Sequence, residues 1–144
     1  AARLTTPDGG VGECAQEHAM KIVWLNALNW LMHGLHLGVL GANLFGWLYR
    51  PWWPWHRLCV GLTLVSWLGL GLIVGRVGYC VLTDWHWKIR TTLGVRHLPD
   101  TYIDFLLDRV GISVPRARLG VAVGVGFTAI CAVALVEWWL ERRA

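Results

Sequence analysis

Apolar positions gather into three long stretches, each bounded by charge and separated first by a short Trp-rich turn and then by a longer polar connection. The first, KIVWLNALNWLMHGLHLGVLGANLFGWLYR, runs from Lys21 to Arg50 with no charge between its ends. About 20 apolar residues rising 1.5 Å each cross a bilayer core of roughly 30 Å, so the pattern predicts a membrane helix over residues 20–49. Its polar positions fall on one side. At about 100° per residue, His18, Asn26, Asn29, His33, His36 and Asn43 occupy an arc of roughly 100°, and Gly34, Gly38 and Gly41 group on the adjacent face. A polar stripe turned to hydrocarbon would strand hydrogen-bonding groups, so it should face protein, a bound cofactor or water.

The turn that follows, PWWPWHR, carries two prolines that do not continue a helix and three tryptophans suited to the headgroup level. A second crossing is expected over 57–77, with Thr63 and Ser66 bonding back to their own backbone. Between Gly78 and Arg118 the chain turns polar. A helix at 84–93 is expected to start at Thr83 or Asp84 and stop at Gly94, and one at 100–110 to open at Pro99 and Asp100 and close at Gly111. The second of these sets Tyr102, Ile103, Leu106, Leu107 and Val110 against Asp100, Asp104 and Asp108, the pattern of a helix lying on a surface. The three aspartates read as a solvated face answered by Arg116, Arg118 or Lys88, with metal binding the less favoured alternative. A third crossing is expected over 119–139. The predicted fold is thus all-α: three transmembrane helices with two short amphipathic helices between the second and third, preceded by a polar tail at 1–16 that lacks the form of a signal peptide.

Composition narrows the class. Of 144 residues 56% are hydrophobic and 15% charged, against about a quarter charged in an average soluble domain. The net charge of +4 comes from basic residues scattered at the ends of apolar segments, which suits anchoring at a membrane and leaves no basic, aromatic-interleaved surface for nucleic acid. Lys and Arg counts do not decide the orientation. The four cysteines form no CxxC or CxxCH pattern. Cys59 and Cys131 read as small hydrophobes, while Cys14 and Cys80 would lie on one side of the membrane, where a disulfide is conceivable and two free thiols are the simpler reading. Glycines four apart at Gly34 and Gly38, Gly71 and Gly75, and Gly120 and Gly124 have the spacing that lets membrane helices approach closely.

The order of a helix with His33, a turn with His56, a second helix ending in Gly, then Cys80, Leu82, Thr83 and Arg90, an amphipathic helix and a last crossing resembles a small bacterial membrane family known only as domain of unknown function 2784. The resemblance covers roughly Trp30 to Trp139. It implies a Pro where Val81 stands, a Glu where His86 stands and a His at about Phe105, and it implies the architecture without implying an activity.

Three functions compete. A haem or chlorophyll-type pigment would need axial ligands, which His33 or His36 could supply, but the other two crossings offer no His at midplane. An enzyme is not expected, since no GxSxG, HExxH or phosphate loop is present. The remaining class is a non-catalytic accessory or scaffold subunit of a larger assembly, for example a respiratory or photosynthetic complex, in the bacterial inner (cytoplasmic) membrane. It would dock to other integral membrane subunits through Asn26, Asn29, His33, His36 and Asn43 and through its glycine faces, with Trp surface for lipids, quinone or pigment.

Overall fold

The computed structural model describes residues 9–76 and 78–143, with side chains from residue 13 onward. Five helices carry the fold: α1 (Gly9–Phe45), α2 (Arg50–Val74), α3 (Val81–Thr92), α4 (Tyr102–Arg109) and α5 (Arg116–Arg143), with no strand among the described residues. Helix α1 is 37 residues long and starts well before the expected residue 20. Of the polar tail expected at 1–16, residues 9–16 are helical and the rest lie outside the described residues. Extending a helix costs far less than nucleating one, and Glu13, Ala15, Gln16 and Glu17 are good helix formers.

The turn after α1 is built by its own indoles. Trp47 Nε1 donates to the Leu44 carbonyl at 2.8 Å and Trp53 Nε1 to the Trp47 carbonyl at 2.9 Å. Two 3₁₀ turns, Gly46–Leu48 and Arg50–Trp52, carry the reversal. Both prolines stand at helix starts, where the missing N–H would be unpaired anyway. A six-residue π stretch, Val65–Leu70, widens α2 before it closes at Gly75, whose φ of +73° permits the left-handed cap. The chain then folds back alongside α2. Gly78 N–H donates to the Trp67 carbonyl at 3.2 Å, and Ser66 Oγ donates to the Tyr79 carbonyl at 3.0 Å while accepting from Val81 N–H at 3.4 Å. That borrowed hydroxyl lets α3 begin at Val81, three residues ahead of the expected start. Ser66 therefore serves the fold-back, whereas Thr63 bonds its own backbone at the Cys59 carbonyl as expected. Helix α4 is capped by Thr101, which accepts from Asp104 N–H at 3.1 Å, in place of the expected Pro99 and Asp100 opening. Asp100 instead pairs with Arg116 at 3.0 Å, and Lys88 with Asp84 at 2.8 Å.

Helices α2 and α3 line α1 end to end. Asn43 meets α2 through Cys59 and Thr63, and the middle of α1 meets α3 through His36 and Asn29. On its other side α2 packs against α5, with Trp67 and Phe127 ring centroids 4.7 Å apart. Helices α2 and α5 are long and apolar enough to cross a membrane by length and composition, two where three were expected. Helix α1 has the length, but Asn26, Asn29, His33, His36 and Asn43 dilute its apolar character below that of the other two. Burial is inverted relative to a water-soluble core. The buried polar set is His36, Asn43, His56, Thr83, His86 and Glu137, while Leu62, Leu72, Ile73, Val121 and Val125 stand more than half exposed.

All four cysteines are free. A Cys14–Cys80 disulfide is not formed, for a reason of length: Cys80 lies by His36, and 22 residues of α1 separate Cys14 from that level, about 33 Å at helical rise.

Candidate functional site

Three helices bring a group of rings together. Positions 83, 86 and 90 recur at i, i+3 and i+7, so they share one face of α3, which is turned to α1; Asp84 and Lys88 pair with each other away from that face. Helix α4 adds Tyr102 and Phe105, one turn apart and both buried. The polar stripe on α1 supplies Asn29, His33 and His36.

Hydrogen bonds assign the tautomers of two histidines. His36 Nδ1 lies 2.8 Å from the Met32 carbonyl, which only accepts, so Nδ1 carries the proton and Nε2 accepts from the Thr83 hydroxyl at 3.2 Å. His86 Nε2 donates to Asn29 Oδ1 at 3.0 Å, which leaves its Nδ1 lone pair buried without a partner. His33 Nδ1 meets the Tyr102 hydroxyl at 3.0 Å. The rings themselves pack face and edge: His36 stacks on Tyr102 at 4.1 Å, His33 on Phe105 at 5.3 Å, and His86 meets His33 edge-on at 4.4 Å. His86 is fully buried. Burial, then the charges of His33, His36 and Arg90, hold its pKa down to about 4, so this ring is neutral at physiological pH.

Cys80 stands at the N-cap of α3 in extended conformation. Burial pushes its thiol up, but the polar groups of His36 and Thr83 beside it, the Thr83 N–H among them, outweigh burial and bring it down to about 7. A thiolate beside an imidazole at a helix N-terminus is a reactive thiol near neutral pH. Alkylation of Cys80 is accordingly expected to reach half its limiting rate near pH 7, about 1.5 units below an ordinary thiol, and His36→Gln is expected to move that midpoint back up. Peptide mass mapping of iodoacetamide adducts against pH checks it, and an unshifted profile in the variant would refute the coupling.

A guanidinium closes the site. Arg90 Cζ sits 4.6 Å from the Phe105 centroid and 5.6 Å from that of Trp87, and Arg109 Cζ lies 5.2 Å from Phe105.

The residues singled out from the sequence separate into two sets. Asn29, His33, His36, Cys80, Thr83 and Arg90 converge here. Asn43 does not: it is buried between α1 and α2, donating to the Val39 carbonyl at 2.9 Å. Asn26 is exposed and bonds only its own helix at the Ile22 carbonyl, and Leu82 is half-buried beside the site. As a ligand for haem or pigment, His36 would have to give up the Thr83 bond at Nε2 while keeping Met32 at Nδ1, whereas His33 could offer Nε2 with Nδ1 still on Tyr102. Among the described residues, no three His, Cys, Asp or Glu side chains converge as a metal site.

A family model described as protein of unknown function, DUF2784, matches residues 26–141. The chain belongs to that family. No curated protein and no solved structure matches it. The matched span runs from Asn26 in the polar stripe almost to the end of α5, so the whole ring cluster lies within the DUF2784 region. His86 and Phe105, two of the three positions where this DUF2784 chain was expected to depart from the family pattern, both pack against His33.

Sequence reasoning missed a second polar contact. His56 Nδ1 and Glu137 Oε1 lie 2.7 Å apart, 1% and 3% exposed, joining α2 to α5, with Arg57 and Glu141 paired beside them at 2.6 Å. Antiparallel crossings place the start of α2 and the end of α5 on one side, which is the signal that could have paired them. Gly46 packs closely there: a Cβ on it would stand 3.0 Å from His56 Cβ, so His56 would have to shift to admit one.

Proposed function

We propose that this DUF2784 protein is a non-catalytic accessory subunit of a larger assembly in the bacterial inner membrane, an energy-transducing complex being the expected setting. In this reading α1 crosses the membrane along with α2 and α5, its polar stripe covered by α2, α3 and α4 instead of by lipid.

One observation carries the proposal. Among the described residues, nothing beyond their own stretch of helix lies within 4 Å of where a Cβ would stand on Gly34, Gly38 and Gly41 of α1 or on Gly120, Gly124 and Gly126 of α5. Small residues contribute in lipid when another backbone packs closely on them, so these faces are unused by the chain's own fold. Gly124 belongs to an open apolar surface on α5 with Val121, Val125, Thr128, Ala129 and Ala132, where one transmembrane helix of a partner subunit would dock. The Asn and His residues expected to meet that partner are largely bonded within the chain, so docking falls to the glycine faces and to exposed Trp24, Trp30 and Trp55.

Mild detergent extraction at native abundance is expected to yield a particle far heavier than the monomer, containing other membrane chains by mass spectrometry. Gly124→Leu with Ala129→Leu is expected to release a folded monomer, because nothing inside the chain contacts that face. A monomeric wild-type profile, or a particle built only of this chain, would refute the proposal. Visible absorbance lost on His33→Ala or His36→Ala would favour a pigment carrier instead.

A further inference from the structure

We propose that Arg90 and Arg109, set on the shared ring of Phe105 at the edge of the histidine cluster, bind a phosphate group, supplied by the headgroup of an anionic phospholipid or by a soluble phosphate ester. The argument starts from unbalanced charge. The ion pairs among the described residues are His56–Glu137, Arg57–Glu141, Lys88–Asp84 and Arg116–Asp100, and none includes Arg90 or Arg109. Asp104 and Asp108 share α4 with Arg109 yet come within ion-pair distance of neither arginine.

Arg90 is also short of hydrogen bonds. Among the described residues its Nε is buried without a partner, and the groups around the guanidinium are Phe105, Trp87, Tyr102 and the buried His86, none of them an anion. Burying a guanidinium donor unpaired is costly, whereas a phosphate oxygen accepts from Nε and a terminal nitrogen together. Each guanidinium is held against the Phe105 ring before any ligand arrives, which reduces the ordering cost of binding. Arg109 is exposed, so the pair opens outward.

Position favours the lipid source. Helix α3 runs along α1 from the level of His36 at Thr83 to that of Asn29 at His86, away from the Trp turn, and Arg90 lies one further turn on, about 6 Å. That is the end of α2 opposite the Trp turn, where a headgroup phosphate would stand if α2 spans the bilayer. The lipid source thus rests on the membrane reading above; the anion site does not.

The test uses the full chain as wild type, Arg90→Gln, Arg109→Gln, Arg90→Lys and Arg143→Gln. Native mass spectrometry with phosphatidylglycerol or phosphatidylcholine, and thermal unfolding with inorganic phosphate, provide the readouts. Phosphatidylglycerol is expected to be retained and phosphatidylcholine not, retention falling about tenfold in Arg90→Gln and Arg109→Gln and less in Arg90→Lys, since a lysine keeps the charge without the fork. Arg143→Gln, at the far end of α5 over Trp139, is expected to bind as wild type. A melting shift with inorganic phosphate that Arg90→Gln abolishes, without lipid retention, would assign the site to soluble phosphate. Binding of neither probe, or equal loss in Arg143→Gln, would overturn the site. Failure of the wild type to enter phosphatidylcholine vesicles would overturn the membrane reading while leaving the phosphate measurement to decide the arginine pair.

Discussion

Glu137→Ala is expected to be the most destabilising single change in this chain, at about 3–5 kcal/mol, because it strands the buried His56 ring between α2 and α5. The two side chains are 2.7 Å apart and almost wholly enclosed, and His56 Nε2 and Glu137 Oε2 already have no other partner. Truncating the carboxylate leaves His56 Nδ1 without its partner as well. Removing both members should cost far less: His56→Leu with Glu137→Leu replaces a desolvated pair by apolar volume, which elsewhere is often neutral or stabilising. Glu141→Ala serves as the control. Its contact with Arg57 is partly exposed and should contribute less than about 1 kcal/mol. Denaturant unfolding in detergent separates the three, and a double variant as unstable as Glu137→Ala would mean that the pair specifies more than a buried contact.

Much of the helix punctuation was legible because it depends on local chemistry. Gly94 and Gly111 were expected as helix stops, and both have positive φ, +88° and +76°. Asp100 was expected to find a basic partner and pairs with Arg116. The stripe on α1 was legible as a face, since helical spacing alone sets which residues align. What covers that face was not. Thr83 and Tyr102 lie 47 and 69 residues from the histidines they meet, and no local pattern encodes the fold-back that Ser66 and Gly78 impose between α2 and α3. Tyr102 consequently read as one more apolar position on an amphipathic helix, although its hydroxyl is bonded to His33. The same stripe also explains the count of two apolar crossings, because the residues that make α1 informative are those that lower its hydropathy. His56 and Glu137 were each visible, but their pairing depends on the relative depth of two helices 81 residues apart in sequence.

Acidification is expected to loosen α3 and α4 from α1, and His86 is the reason. Unfolded, its imidazole would titrate at the ordinary value of 6.5; folded, the pKa is about 4. Above pH 6.5 neither state holds the proton and the contribution to stability is complete. Between 6.5 and 4 the unfolded chain binds a proton that the folded chain refuses, so stability falls as pH falls, and below 4 both states are protonated and nothing further is lost. The loss from this group approaches about 2–3 kcal/mol, large beside the total stability of a small domain. Every group that faces the ring works in the same direction or is neutral: His33 and His36 from α1 and Arg90 from its own helix oppose a further charge, and Tyr102 from α4 has none to offer. The Asn29 contact does not rescue the cation either, because it already uses the Nε2 proton and the incoming proton would go to the unpartnered Nδ1. His86→Gln keeps a donor that reaches Asn29 and removes the titration, so its stability should change little from pH 7 to pH 4.5 relative to wild type, at a modest fixed cost from lost ring contacts with His33. Unfolding midpoints of both proteins at the two pH values decide the matter: a wild-type loss that persists undiminished in His86→Gln would place the acid sensitivity outside the cluster.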